Sequence, residues 1–248
     1  MNFKTGLVSV SFRELSPEEI VDLVCAVGLK YIEWGSDVHA PQNDGERLSR
    51  IAAMQKERGV ECCSYGTYFR VGVNAPVEIE EYIAAAKLLG TRVCRIWCGN
   101  KSSLEYSEEE RMELLQDCRT LAEIAEKQGA VLCLECHRGT FTDEADWALW
   151  LMENVGSPCF KMYWQPEVIH SFEENTEYAK LLSDRVVNIH VFNWDKNGQY
   201  PLKDAVGVWK KYLENFSGEQ HLLLEFMPDG RSESLKTENA ALIEIMGE

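Results

Sequence analysis

Apolar residues along the chain alternate between two rhythms. Short runs rich in β-branched and apolar residues are each followed by a longer stretch with apolar positions every three or four residues, the period of an amphipathic helix. The strand-like runs are residues 6–10, 31–34, 60–65, 92–97, 131–135, 160–165, 185–190 and 222–226. The helical stretches that follow are 16–28, 46–58, 76–89, 108–128, 143–154, 172–182, 204–215 and 233–246. Ser16-Pro17-Glu18-Glu19 opens the first with a capping hydroxyl, a proline in the first turn and acids at the positive end of the helix dipole. Gly59, Gly90 and Gly129 stand where helices should end.

Eight strand–helix pairs in 248 residues give about 31 residues per unit, the size of a βαβ repeat. Right-handed crossovers between parallel strands close such a series into a barrel. The expected fold is therefore α/β, a single (β/α)8 barrel over residues 1–248, with no linker or low-complexity stretch. An open doubly wound sheet normally places a glycine-rich phosphate loop after its first strand, and none stands there. Gly99-Asn100-Lys101-Ser102 lacks the glycine before the lysine and the upstream glycine of a P-loop.

Active sites of such barrels lie at the C-terminal ends of the strands. Four apolar runs of the second half end in a residue able to bind metal: Glu135, Gln165, His190 and Glu225, at intervals of 30, 25 and 35 residues. Each interval is close to one repeat unit, so four consecutive strands deliver one donor each to the same rim. Two carboxylates, one imidazole and one amide oxygen suit a divalent ion. Taken singly, a glutamate or glutamine at a strand end is more often a solvated loop residue. The ordered set carries the reading.

Composition narrows the partners. Asp and Glu outnumber Lys and Arg by 41 to 25, for a net charge of −16. With no dense basic run, this balance argues against nucleic acid and anionic membrane surfaces. The N-terminal residues lack the apolar core of a signal peptide, and no segment has the ~18 apolar residues of a transmembrane helix, so a cytoplasmic protein is expected. The nine cysteines then read as free thiols. Cys133-Leu134-Glu135-Cys136-His137 spells a haem c attachment pattern. Its place at a strand end, with the two cysteines on opposite faces, argues against haem and against a redox dithiol.

The segments LECHRGTFTD (134–143), NIHVFNW (188–194) and LLLEFMPDG (222–230) resemble the xylose-isomerase-like barrels, a group of sugar isomerases and epimerases, inosose dehydratases and endonuclease-IV-type enzymes. The resemblance spans essentially the whole chain. It implies one metal ion held by Glu, Asp, His and Glu from the fifth to eighth strands, with Mn2+ the first expectation and Mg2+, Co2+ or Zn2+ as alternatives. Glu135, His190 and Glu225 match that pattern. Gln165 departs from it, removing one negative charge, which implies weaker metal binding. A histidine three residues beyond the aspartate is replaced by Val168, leaving His170 to supply that contact.

The resemblance also implies catalysis by Glu135 and Glu225, one as acid and one as base, on a small sugar, keto-sugar or cyclitol whose enediolate the metal stabilises. Isomerase and epimerase chemistry comes first. A dehydratase of the inosose type uses the same parts, a catalytically lapsed sugar-binding barrel would explain Gln165, and a phosphodiesterase is disfavoured by five histidines and the acidic charge. Substrate contacts are expected from His39 in GSDVHAP (35–41), from His137 on the same side of its strand as Glu135, from Arg95, from Trp164 among aromatics near the strand ends, and from Lys196, carried over from the epimerases. Glu33 reads as structural and Trp97 as core. A symmetric homo-oligomer is the default for such an enzyme.

Overall fold

The structure, a computed structural model, describes residues 3–247. Seven strands come first: β1 (Lys4–Val8), β2 (Tyr31–Gly35), β3 (Glu61–Val71), β4 (Val93–Cys98), β5 (Val131–Glu135), β6 (Phe160–Trp164) and β7 (Val186–Val191). A small antiparallel hairpin, β8 (Trp194–Asp195) and β9 (Gly198–Gln199), follows, and β10 (His221–Leu224) completes the set. The seven strands and β10 form a closed parallel barrel in which β10 joins β7 to β1. The helices are α1 (Pro17–Ala26), α2 (Gly45–Glu57), α3 (Ile79–Leu89), α4 (Glu108–Gln128), α5 (Ala145–Val155), α6 (Phe172–Leu182), α7 (Val206–Leu213) and α8 (Leu235–Met246). The expected (β/α)8 barrel is the observed fold. Among the described residues no helix is long and apolar enough to cross a membrane.

Two apolar layers hold the barrel. Strand residues alternate in direction, so every second side chain meets the helices: Leu132 and Leu134 of β5, Ile189 of β7, and Leu222 and Leu224 of β10 pack there with Leu115, Leu121, Tyr178 and Trp209. The opposite parity fills the barrel interior with Val8, Val10, Cys63, Cys133, Tyr163 and Leu223. Cys133 and Cys136 fall in different layers, as their spacing requires. All nine cysteines are free.

Helix starts follow local chemistry. Ser107 opens α4 by accepting the Glu110 N–H at 3.2 Å, while the Glu110 carboxylate accepts the Ser107 N–H at 2.8 Å. Ser16 and Ser171 build the same reciprocal box on α1 and α6. The sequence boundaries hold for α4, β5 and α6. Residues 76–78, 202–205 and 232–234 form 3-10 turns instead of the first turns of α3, α7 and α8. The hairpin after β7 was not anticipated. Its turn, Lys196-Asn197, is closed by the Asp195 carboxylate, which accepts the N–H groups of Asn197 and Gly198.

Candidate metal and catalytic site

The barrel parity that buries Cys133 turns Glu135 inward, and the same alternation turns His190 of β7 and Glu225, just past β10, into the interior. Among the described residues, Glu135, His190 and Glu225 form the group of acidic and imidazole side chains whose donor atoms lie within 4.8 Å of one another. One nitrogen is the meeting point. His190 Nδ1 is 3.1 Å from Glu135 Oε1, 3.1 Å from Gln165 Oε1 and 3.5 Å from Glu225 Oε2. The four residues picked out as strand ends are thus brought together.

This arrangement fits a divalent ion. Donors ~2.1 Å from one ion stand roughly 3–3.5 Å from each other, which is the spacing around His190 Nδ1. One nitrogen can offer at most one proton, so hydrogen bonding alone cannot serve three oxygens at once. Two carboxylates, an imidazole and an amide oxygen form a hard-to-borderline donor set.

Below the donors lies an ionic chain. The Arg95 guanidinium donates through Nε to Glu33 Oε1 at 3.1 Å and through Nη1 to Glu135, and the Trp97 indole N–H also donates to Glu135. Ser64 Oγ donates to the other Glu33 oxygen at 2.9 Å. It reaches that point because the β2–β3 pairing slips between Ile32 and Glu33, an irregularity that re-aims side chains. Glu33 and His190 are fully buried, and Glu135 and Arg95 almost so. Gly66 makes room for this chain: a Cβ there would lie 2.7 Å from Glu33 Oε1 and 3.0 Å from Arg95 Nη2.

Charge sorts the carboxylates. Burial pushes Glu135 up, but Arg95 and His190 overcome it and hold the carboxyl below its ordinary value. Glu33 behaves likewise, with burial outweighed by Arg95 and His190. Glu225 has no comparable donors. Burial raises it to about 7, with Glu135 and Glu33 adding and His190 and Arg95 opposing. Burial works against a charged His190, yet the surrounding glutamates lift it well above the ordinary imidazole value.

The backbone directly after Glu225 is unusual. Phe226 has φ +52°, a left-handed conformation that non-glycine residues seldom adopt, and its N–H donates to Ser11 Oγ at 2.8 Å. Phe226 belongs to an aromatic group with Trp194 and Phe192, whose rings stack at 4.1 Å. Across the rim, Trp97 carries the Arg70 guanidinium at 4.3 Å and meets Tyr68 edge-on.

The residues expected at the substrate divide. His137 is half-buried beside Trp97, with Nδ1 donating to the Arg138 carbonyl, which leaves Nε2 as its free nitrogen. Arg95 lies beneath the donors rather than at the mouth, its guanidinium engaged by the two carboxylates. His39 is fully buried, with Nδ1 on Ser9 Oγ at 3.0 Å and Nε2 donating to the Leu15 carbonyl at 3.1 Å, so neither nitrogen is left for a substrate. Trp164 requires correction. It has the opposite parity to Gln165 and faces the helix layer, packed on Trp209, Tyr212 and Phe216. Lys196 sits exposed at the turn of the β8–β9 hairpin. Sequence reading took Glu33 as structural without finding its partner Arg95, 62 residues away, and it missed Glu167. Buried two residues past Gln165, Glu167 is raised to about 7 by burial, against the Arg138 N–H. It borders a cavity of about 510 Å³ between the loops after β4, β5 and β6, beside Lys101, Arg138 and His170.

Comparison with known proteins adds kinship. The sequence model of a family described as "Xylose isomerase-like TIM barrel" matches residues 21–221. The 3-dehydroshikimate dehydratase of Bacillus anthracis is 23% identical over 271 aligned positions, covering 96% of each chain. The crystal structure of the probable 3-DHS dehydratase AsbF from Bacillus anthracis superposes with a TM-score of 0.80 at 22% identity, over 97% of this chain and 98% of that one. A D-psicose 3-epimerase crystallised in the presence of D-fructose superposes with a TM-score of 0.73 at 12% identity, over 99% of this chain and 100% of the other. At these identities the superpositions establish a shared fold.

Proposed function

Because this chain belongs to the xylose isomerase-like TIM barrel family, we propose that it is a divalent-metal-dependent lyase that removes water from a small hydroxylated carbocyclic ketone, of the kind its dehydratase relative is named for. Glu135, Gln165, His190 and Glu225 are the residues that would hold the ion. A divalent ion there supplies Lewis-acid polarisation of a substrate carbonyl, which acidifies the neighbouring carbon.

The observation that carries this reading is the unequal treatment of the two catalytic carboxylates. Glu135 is tied by Arg95 and Trp97, donors that favour its ionised form. Glu225 has the His190 ring nitrogen as its one ion-pair partner among the described residues. One carboxylate clamped by two donors, beside one that those donors do not reach, suits an elimination run by a single group. Glu225 takes the proton from the carbon beside the carbonyl, the bond to the β-hydroxyl breaks, and the same proton leaves with that hydroxyl as water. The aromatic group at Phe192, Trp194 and Phe226 offers an apolar face to a ring.

An epimerase is the second reading, favoured by the convergence of Glu135 and Glu225 on one imidazole nitrogen and by the likeness to a ketose 3-epimerase fold. It requires both carboxylates to exchange protons, which Arg95 disfavours at Glu135. The test is incubation of Mn2+-loaded protein with 3-dehydroshikimate and, separately, with ketoses in deuterated water. Growth of near-UV absorbance from new ring conjugation supports the lyase. Deuterium entering a ketose without that absorbance selects the epimerase. Absence of both, with ligand-dependent melting shifts alone, would reduce the protein to a binding barrel.

A further inference from the structure

We propose that Glu33 is a positioning residue for the metal centre: its carboxylate receives the Nε2–H of His190, thereby turning Nδ1 toward the ion, and it supplies the negative charge that Gln165 lacks. This rests on the metal reading above.

Three observations carry it. His190 Nε2 is buried with no hydrogen-bond partner, an expensive condition for an imidazole nitrogen. The polar atom facing it is Glu33 Oε1, at 3.6 Å, just beyond hydrogen-bond range. A metal-binding histidine ordinarily gives its second ring N–H to a carboxylate, which fixes tautomer and orientation. The second observation is that Glu33 is itself held. Ser64 and Arg95 each bind one of its oxygens, and Arg95 continues to Glu135, so one chain of contacts links a donor of β5 to the histidine of β7 through β2 and β4. The third is Gly66, the bare position beside that chain, where a Cβ would press on both Glu33 and Arg95.

The charge count agrees. Glu33, Glu135 and Glu225 carry three negative charges. Arg95 and a divalent ion carry three positive ones. An aspartate at position 165 would add a fourth carboxylate to a closed interior where unpaired charge is costly. On this account, Gln165 is the donor that suits a barrel already carrying Glu33.

The test is Mn2+ binding to the chelator-stripped full-length protein, read by electron paramagnetic resonance of the free ion, for wild type and Glu33→Gln. The amide keeps the shape and loses the charge, and affinity should fall about 10- to 100-fold. If Glu33 only neutralised Arg95, folding stability would change while Mn2+ affinity stayed within roughly threefold, below the effect such partners produce, and the proposal would fail. A second measurement needs no variant. Long-range proton–nitrogen spectra of the Zn2+-loaded wild type should show His190 coordinated through Nδ1 with a proton on Nε2, and coordination through Nε2 would overturn the assignment. This spectrum decides the matter if Glu33→Gln does not fold. A wild type that takes up neither ion removes the metal reading and this inference together, whereas tight binding unaffected by Glu33→Gln removes this inference alone.

Discussion

Glu135 and Glu225 carry the same side chain, and the fold surrounds them differently. Arg95 and Trp97 clamp one, while the other meets a single imidazole. Glu225→Gln should lower kcat by about 10²- to 10⁴-fold, the usual contribution of a general base, as measured by steady-state kinetics at saturating Mn2+. Gly66→Ala should cost about 1–3 kcal/mol by overpacking the Glu33–Arg95 pair, read as a lower urea midpoint. A third residue tests pH. At the opposite end of the barrel, His221 donates Nδ1–H to Asn188 Oδ1 at 2.9 Å, and Asn188 donates on to the Tyr163 hydroxyl. Burial, helped by nearby Lys4, lowers His221 from 6.5 to about 4. Between those values the unfolded chain binds a proton that the folded chain refuses, so stability falls as pH drops from 6.5 toward 4 and is fully present above 6.5. Urea unfolding across that window should show a shallower pH slope for His221→Gln than for wild type.

Among the elements, the sequence was most readable where local signals agree. Residues 108–128 follow a capping serine at 107, carry three acids in the first turn and meet a closing glycine at 129, and α4 has those bounds. Removing the cap with Ser107→Ala should cost about 0.5–2 kcal/mol, seen as a shifted urea midpoint at unchanged slope. The four metal-type donors were readable because strand ends recur at a regular interval. Trp164 was misplaced for want of strict alternation: it neighbours Gln165, so the two must face opposite layers. Replacing it with alanine should therefore cost about 3–5 kcal/mol of folding stability while leaving Mn2+ affinity near wild type, a split that a substrate-lining residue would not produce. Glu33 and Arg95 were beyond local reading, since their meeting depends on barrel closure and on the slip in the β2–β3 register.

At the scale of the whole molecule, Thr5 of β1 pairs with Leu222 of β10, so the barrel closes only through contacts between the two ends of the chain. Contacts that distant in sequence form slowly. Gln165, His190 and Glu225 come from the later strands and loops, while Glu33 and Arg95 come from β2 and β4, so the complete site needs both halves in place. Mn2+ at a hundredfold excess over its dissociation constant should add about 2.7 kcal/mol of stability. That gain should emerge as slower unfolding with little change in folding rate, as measured by stopped-flow mixing with and without the ion.

Gly66 has a consequence for descent. A position that must stay bare because an ion pair passes beside it is tied to that pair. Among relatives of this chain, loss of the acid at 33 or the arginine at 95 should release position 66 to take a side chain, and a side chain at 66 should be found where the pair has gone. The three sites should therefore change together, with the glycine replaced only in lineages that have already abandoned the buried pair.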